Sequence, residues 1–156
     1  MDCIKKNESI NIDIQTIFTL INQVDKYSDF LPWCSNSKVI SDKNNTIVGK
    51  ISVSKNFVNW TFTTENHYIK NKKIYLTLID GPFKNLNGEW NFLKIDNNNT
   101  QVSFILEYEF SNKIIELSIK PVFTSIMSSI LDSFIVTSFG NGLYIKIILQ
   151  EFPDIS

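Results

Sequence analysis

The 156-residue sequence contains no arginine and no alanine, and it has one histidine and two cysteines. Without arginine, the chain lacks the planar guanidinium that recognises phosphate and carboxylate groups through two parallel hydrogen bonds. One histidine cannot build a His-rich zinc site, and Cys3 and Cys34 are too few for a disulfide framework and lack CxxC spacing. We therefore expect no metal, no required cofactor and two reduced thiols, with Cys34 buried beside Trp33.

Net positive charge and long apolar runs are also lacking. Fifteen basic and sixteen acidic side chains give a net charge of −1, so no overall field would draw the chain to DNA. No apolar run approaches the roughly 18 residues that a membrane span requires, and the first residues lack the order of a secretory signal. The length fits one domain, and we expect a cytoplasmic monomer.

Helical spacing occurs at both ends of the chain. After a weak strand over 2–11, Asp13 can cap an amphipathic helix whose apolar residues are Ile14, Ile17, Phe18, Ile21 and Val24. A short turn or second helix over 27–33 is limited by Pro32. A last helical segment over about 113–139 presents one apolar face, made of Phe123, Met127, Ile130, Leu131 and Phe134.

Two features should interrupt this last segment. Pro121 is expected to kink or restart the helix, and Gly140-Asn141-Gly142 to stop it. The pattern defines no structure for the tail over 143–156.

From residue 38 to 110, apolar and polar residues alternate in segment after segment, with turn-forming residues between them. This period of two is typical of an antiparallel sheet with one face in water, so we predict an α+β fold whose last helix covers the other face. The covered face is rich in aromatic residues: Trp60, Phe62, Trp90, Phe92, Phe104, Tyr108 and Phe110. Such rings form either a tightly packed core or the lining of an apolar cavity, and composition leaves both open.

Catalytic groups are scarce. His67 has no nucleophile motif around it and is expected at the surface. Glu107 and Glu109 lie on one strand face roughly 7 Å apart, but that is the solvated face. Lys70, Lys72 and Lys73 cluster at a predicted hairpin turn, where they either contact phosphate groups or simply keep the turn soluble.

Three stretches resemble one known family: YSDFLPWC over 27–34, DGPFKNLNGEWNF over 80–92 and EFSNKIIEL over 109–117. The family is the START-like group that contains the bacterial ribosome association toxins and the mitochondrial coenzyme Q-binding proteins. With its neighbours, the resemblance extends from about residue 4 to 139, and the third stretch is closer to the bacterial toxins.

The resemblance implies a helix-grip (START/Bet v 1-like) domain over 1–142, in which a curved antiparallel sheet surrounds a long C-terminal helix and two short helices follow the first strand. It favours an apolar tunnel, which would be lined by Phe30, Trp33, Trp60, Phe62, Phe83, Trp90, Phe92, Phe104, Tyr108, Phe123, Met127 and Phe134.

The two branches of the family imply different non-enzymatic functions. The toxin branch implies binding to the large ribosomal subunit, a block on subunit joining, and a small antitoxin protein as partner. The candidate RNA contacts are then Lys70, Lys72, Lys73 and Lys84. The coenzyme Q branch implies a carrier for ubiquinone or another isoprenoid lipid in support of respiration.

Overall fold

Seven antiparallel strands form one sheet in the computed structural model, which describes residues 1–139, with side chains through residue 135. The strands are β1 (Asp2–Ile10), β2 (Cys34–Lys43), β3 (Thr46–Lys55), β4 (Val58–Ile69), β5 (Lys73–Asp80), β6 (Phe83–Lys94) and β7 (Thr100–Phe110). Their order is β1-β7-β6-β5-β4-β3-β2. The meander that the period of two predicts is therefore confirmed, and β1 pairs with its last strand.

Helices connect β1 to β2 and follow β7. Between β1 and β2 lie α1 (Ile14–Asn22), a single 3-10 turn (Val24–Lys26) and α2 (Tyr27–Phe30), as the sequence predicts. Helix α3 (Lys113–Ser128) and helix α4 (Ile130–Phe139) follow the sheet. Asp13 and Asn112 cap α1 and α3, because their side chains accept hydrogen bonds from backbone N–H groups of the first turn. No helix in the described part of the chain is long and apolar enough to cross a membrane.

The last helical segment is divided at a different residue from the expected one. Pro121 lies inside α3, and the division occurs at Ser129, whose N–H donates to the carbonyl of Ile126. Proline removes the donor for the carbonyl four residues earlier, that of Leu117, but Leu117 is exposed, so water can reach that carbonyl. The expectation that the helix restarts at Pro121 is thus wrong. The predicted stop at 140–142 and the tail lie outside the described residues.

The core lies between the inner face of the sheet and the helices. Phe104, Leu106, Tyr108 and Phe110 of β7 are all buried, whereas Glu107 between them is exposed. Phe134 of α4 is 1% exposed and meets Trp90 of β6 edge to face, with ring centroids 6.0 Å apart. The helices thus cover the aromatic face of the sheet that the sequence predicts.

Candidate functional site

A cavity of about 100 Å³ lies between the inner face of the sheet and the two C-terminal helices. Eight of the residues predicted to line a tunnel do line this cavity: Trp33, Phe62, Phe83, Trp90, Phe104, Phe123, Met127 and Phe134. The aromatic residues of the inner face therefore form packed core in part and border free space in part.

Four predicted residues do not line the cavity: Phe30, Trp60, Phe92 and Tyr108. Phe92 packs against Phe18 of α1 with ring centroids 5.3 Å apart, and Tyr108 packs against Phe123 of α3 at 4.7 Å. Phe30 packs edge to face against Phe134 with ring centroids 6.1 Å apart, and Trp60 is buried in the core. These four rings therefore belong to the packing around the cavity and not to its lining.

The other lining residues are not among those expected to line a tunnel. Most are aliphatic or aromatic: Val24, Tyr27, Ile51, Leu76, Leu86, Leu106 and Ile130. Two are polar, Thr64 and Asn66 of β4. They have the same parity along the strand as Trp60 and Phe62, so the alternation that points those rings inward also points these two side chains inward.

Thr64 and Asn66 form a buried polar pair in the cavity wall. Thr64 is 4% exposed and Asn66 is 3% exposed. The hydroxyl of Thr64 donates to Oδ1 of Asn66 over 2.8 Å, and within the described part of the chain Nδ2 of Asn66 has no acceptor. Nε1 of Trp33 is likewise buried without a partner there. Asn66 therefore places an N–H donor group without a described acceptor in a mainly apolar lining, whereas Nε1 of Trp33 is shielded from the free space.

The two ionisable groups beside the cavity whose pKa is shifted, the Tyr27 hydroxyl and the Cys34 thiol, are held in their neutral forms. Burial, and secondarily the proximity of Cys34, raises the pKa of Tyr27, whose hydroxyl donates to the carbonyl of Ile21. Burial also raises the pKa of the Cys34 thiol, so the thiolate that a nucleophile needs is disfavoured. No charged side chain is found among the lining residues that the structure describes. This environment suits a neutral ligand.

The candidate acid–base groups lie outside the cavity. His67 is exposed, with Nδ1 3.1 Å from the hydroxyl of Thr46. Glu107 and Glu109 are on the outer face of β7, as expected. Over residues 1–135 no group of three or more His, Cys, Asp or Glu side chains could hold a metal ion.

The four candidate RNA contacts do not form one cluster. Lys70 and Lys72 are exposed in the turn between β4 and β5. Lys73 begins β5 and forms an ion pair with Glu89 at 3.1 Å. Lys84 is the second residue of β6 and lies at the opposite end of the sheet. Ten residues separate it from Lys94, the last residue of the same strand, which corresponds to roughly 33 Å. Of the predicted set at that turn, Lys70 and Lys72 are exposed and make no ion pair with any residue that the structure describes.

Comparisons with known proteins agree with this architecture. A family model described as polyketide cyclase / dehydrase and lipid transport matches residues 10–135. The ribosome association toxin RatA of Vibrio cholerae is 35% identical over 134 residues, covering 86% of this chain and 93% of that protein. The mitochondrial coenzyme Q-binding protein COQ10 of Dictyostelium discoideum is 25% identical over 132 residues, covering 81% of this chain and 64% of that protein.

Solved structures share the fold at low sequence identity. The Zhui aromatase/cyclase from Streptomyces sp. R1128 superposes with a TM-score of 0.78 at 12% identity, over 88% of this chain and 93% of that chain. A START superfamily protein from Mycobacterium smegmatis gives 0.75 at 13% identity, over 88% and 97%. The expected helix-grip, START-like fold is thereby confirmed.

Proposed function

The chain belongs to the polyketide cyclase / dehydrase and lipid transport family, and we propose that within it the chain is a ribosome association toxin that binds the large ribosomal subunit. The similarity to RatA over nearly the whole length of that protein carries the proposal. Bound protein would block joining of the large to the small subunit in the cytoplasm. A small antitoxin protein would hold the monomer inactive.

Binding without catalysis is the proposed mode of action. The named relatives are a toxin and a coenzyme-binding protein. The lining that the structure describes offers uncharged side chains, and the buried Cys34 is held as a thiol. The likeness to an aromatase/cyclase rests on 12% identity, which supports the fold and not its chemistry.

One end of the sheet offers a surface for RNA, which we call the lysine end. The turns over 44–45, 70–72 and 95–99 all lie there, linked by hydrogen bonds from Tyr68 N–H to the carbonyl of Asn45 (2.9 Å) and from Phe92 N–H to the carbonyl of Lys72 (2.8 Å). The lysine end is defined by four exposed lysines that make no ion pair with any described residue: Lys43, Lys70, Lys72 and Lys94. Local lysines can neutralise phosphates even though the net charge is −1.

Sucrose-gradient sedimentation with purified bacterial subunits tests the proposal. We expect the chain to sediment with the large subunit and the fraction of joined ribosomes to fall as protein is added. Replacing Lys70 and Lys72 together by Gln should weaken both effects, whereas the same change at Lys38 and Lys50, exposed in mid-strand, should not. A parent protein that stays at the top of the gradient would disprove ribosome association.

A quinone carrier is the second candidate, supported by the similarity to COQ10 and by the apolar cavity. The volume of about 100 Å³ is below the roughly 300–1,000 Å³ typical of ligand pockets. A polyprenyl quinone would therefore enter only if α3 and α4 moved away from the sheet. Organic extraction of protein purified from a lysate that contains membranes should then yield stoichiometric isoprenoid quinone, and reproducible absence would rule this function out.

A further inference from the structure

We propose that two copies of this chain associate reversibly by pairing their β1 strands antiparallel about a two-fold axis. β1 is one edge of the sheet and pairs with β7 over residues 2–10. Every second residue of an edge strand directs its N–H and C=O groups away from the neighbouring strand. In the part of the chain that the structure describes, no backbone group outside β7 bonds to β1. The expected monomer is then one member of a monomer–dimer equilibrium.

The two edges of the sheet differ in regularity. β2, at the other edge, has register shifts between Cys34 and Asn36 and between Val39 and Ser41. Such bulges twist an edge away from a partner and protect it from pairing. β1 pairs with β7 along its whole length without a shift. The regular edge is therefore the one that can accept a further strand.

The side chains of β1 are complementary to themselves in one register. Even-numbered residues of β1 lie opposite buried residues of β7 and therefore face inward, while odd-numbered residues face outward. Opposed residues of a continuous sheet share a face, so a two-fold axis at Asn7 opposes each Lys6 to Glu8 of the other copy. The next opposed pairs join apolar to apolar and charged to neutral residues: Ile4 with Ile10, and Lys5 with Ser9.

Charge selects this register. Lys6 and Glu8 make no ion pair with any described residue, so both charges are available to a second copy. Moving the axis to Lys5, Lys6 or Glu8 would oppose a charged residue to its own copy, and like charges opposed in this way are destabilising. Moving it to Ile4 would shorten the pairing to residues 2–6. The axis at Asn7 gives two ion pairs and opposes no like charges.

Charge reversal tests the pairing. In sedimentation equilibrium, the average mass of the parent should rise from that of one chain toward that of two as protein concentration increases. Lys6→Glu and Glu8→Lys each replace two attractions by two repulsions, so each should weaken self-association at least about ten-fold. An equimolar mixture of the two variants should associate again, because every opposed pair then carries opposite charges.

Lys5→Glu is the matched control. It makes the same charge change on the same strand, but on the outer face opposite Ser9, so self-association should change less than about two-fold. Mixing it with Glu8→Lys should restore association much less than mixing Lys6→Glu with Glu8→Lys does. This comparison separates the register from a general attraction between oppositely charged chains. Far-UV circular dichroism checks that each variant is folded.

Two results would overturn the proposal. One is a parent that keeps the mass of one chain up to its highest soluble concentration, because the edge is then covered within the chain or left to water. The other is self-association that Lys6→Glu and Glu8→Lys leave unchanged, because the copies then meet at another surface. No ribosome is present in these measurements, and the four lysines of the lysine end lie outside β1. Failure here therefore leaves the proposed function untouched.

Discussion

At the level of single residues, Trp90 connects the core to the cavity. It is 4% exposed, stacks on Phe104 at 4.2 Å and meets Phe134 edge to face at 6.0 Å, while another part of its ring lines the free space. Removing the indole would therefore join a new void to the existing cavity, and we expect neighbouring side chains to leave the enlarged void unfilled.

Truncation of Trp90 tests this double role. We expect Trp90→Ala to lower the free energy of unfolding by about 3–5 kcal/mol, because it removes buried aromatic surface and leaves a cavity. Urea denaturation measures the change. Phe57→Ala, at a fully exposed ring, should stay within about 0.5 kcal/mol of the parent. A Trp90→Ala protein as stable as this control would show that the indole is not part of the core.

Asp13 makes stability depend on pH. Hydrogen bonds from the side chain and the backbone N–H of Thr16 hold the pKa of Asp13 below its usual value. Since the folded pKa is the lower one, the stabilisation is complete above about pH 4 and is lost as the pH falls through the folded pKa. The N-cap of α1 therefore stabilises the fold at neutral pH and loses this effect in acid.

Asp13→Ala should cost about 1 kcal/mol of unfolding free energy at neutral pH, because an N-cap is lost. The difference from the parent should shrink as urea denaturation is repeated from about pH 7 down to about pH 3. Asp13→Asn, which keeps a capping oxygen without a titrating group, should stay close to the parent at neutral pH. A gap between the parent and Asp13→Ala that is constant with pH would refute the role of the carboxylate.

Residue patterns predict which side chains face inward but not which of them reach free space. The alternation in β4 places Trp60 and Phe62 on the inner face, and both are there, yet only Phe62 lines the cavity. Asn66 follows the same parity, but a polar residue late in a strand carries no signal of burial until the helices are placed over it. The donor group of the candidate site was therefore missed.

At the level of elements, the hairpin turns store backbone strain. Asn56 and Phe57 alone join β3 to β4, with φ of 53° and 66°. Both residues of such a two-residue turn need positive φ, and glycine is preferred in the second position because a side chain there is strained. Phe57 is also fully exposed, so its ring gains no burial in exchange.

Phe57→Gly should therefore raise the free energy of unfolding by about 1 kcal/mol. Asn45→Gly is the matched control: Asn45 occupies the second position of the β2–β3 turn with φ of 57°, and asparagine tolerates this conformation, so a smaller gain is expected. Urea denaturation of the two variants and the parent measures both changes in the free energy of unfolding. Loss of stability in Phe57→Gly would mean that the exposed ring stabilises the fold.

The C-terminal helices show what sequence spacing can and cannot predict. The apolar spacing of Phe123, Met127 and Phe134 correctly indicates a helical cover for the sheet. The proline predicts an interruption at Pro121, but this turn of α3 is exposed, so water can reach the carbonyl that loses its N–H donor. Nothing in the local sequence singles out Ser129, where the two helices are divided. The division there depends on how α4 packs between α1 and the sheet, which only the assembled fold determines.

At the level of the whole molecule, the strand order separates the cavity from the lysine end. The cavity lies beneath the helices on the inner face, and the lysine end lies where three turns meet. Alternation and family motifs predict this architecture because sheet register follows from which residues must be buried. The volume of the cavity depends on how individual rings interlock, so sequence patterns leave it undetermined.

Equilibrium binding to isolated large ribosomal subunits, measured against salt concentration, is the most direct test of ribosome association. We expect the parent to bind and the logarithm of its association constant to fall linearly with the logarithm of salt concentration, by about 0.7–0.9 per phosphate neutralised. Replacing Lys70 and Lys72 by Gln should flatten the slope by about two such steps, and replacing Lys38 and Lys50 should leave it unchanged. Failure of the parent to bind the large subunit even at low salt would rule out ribosome association.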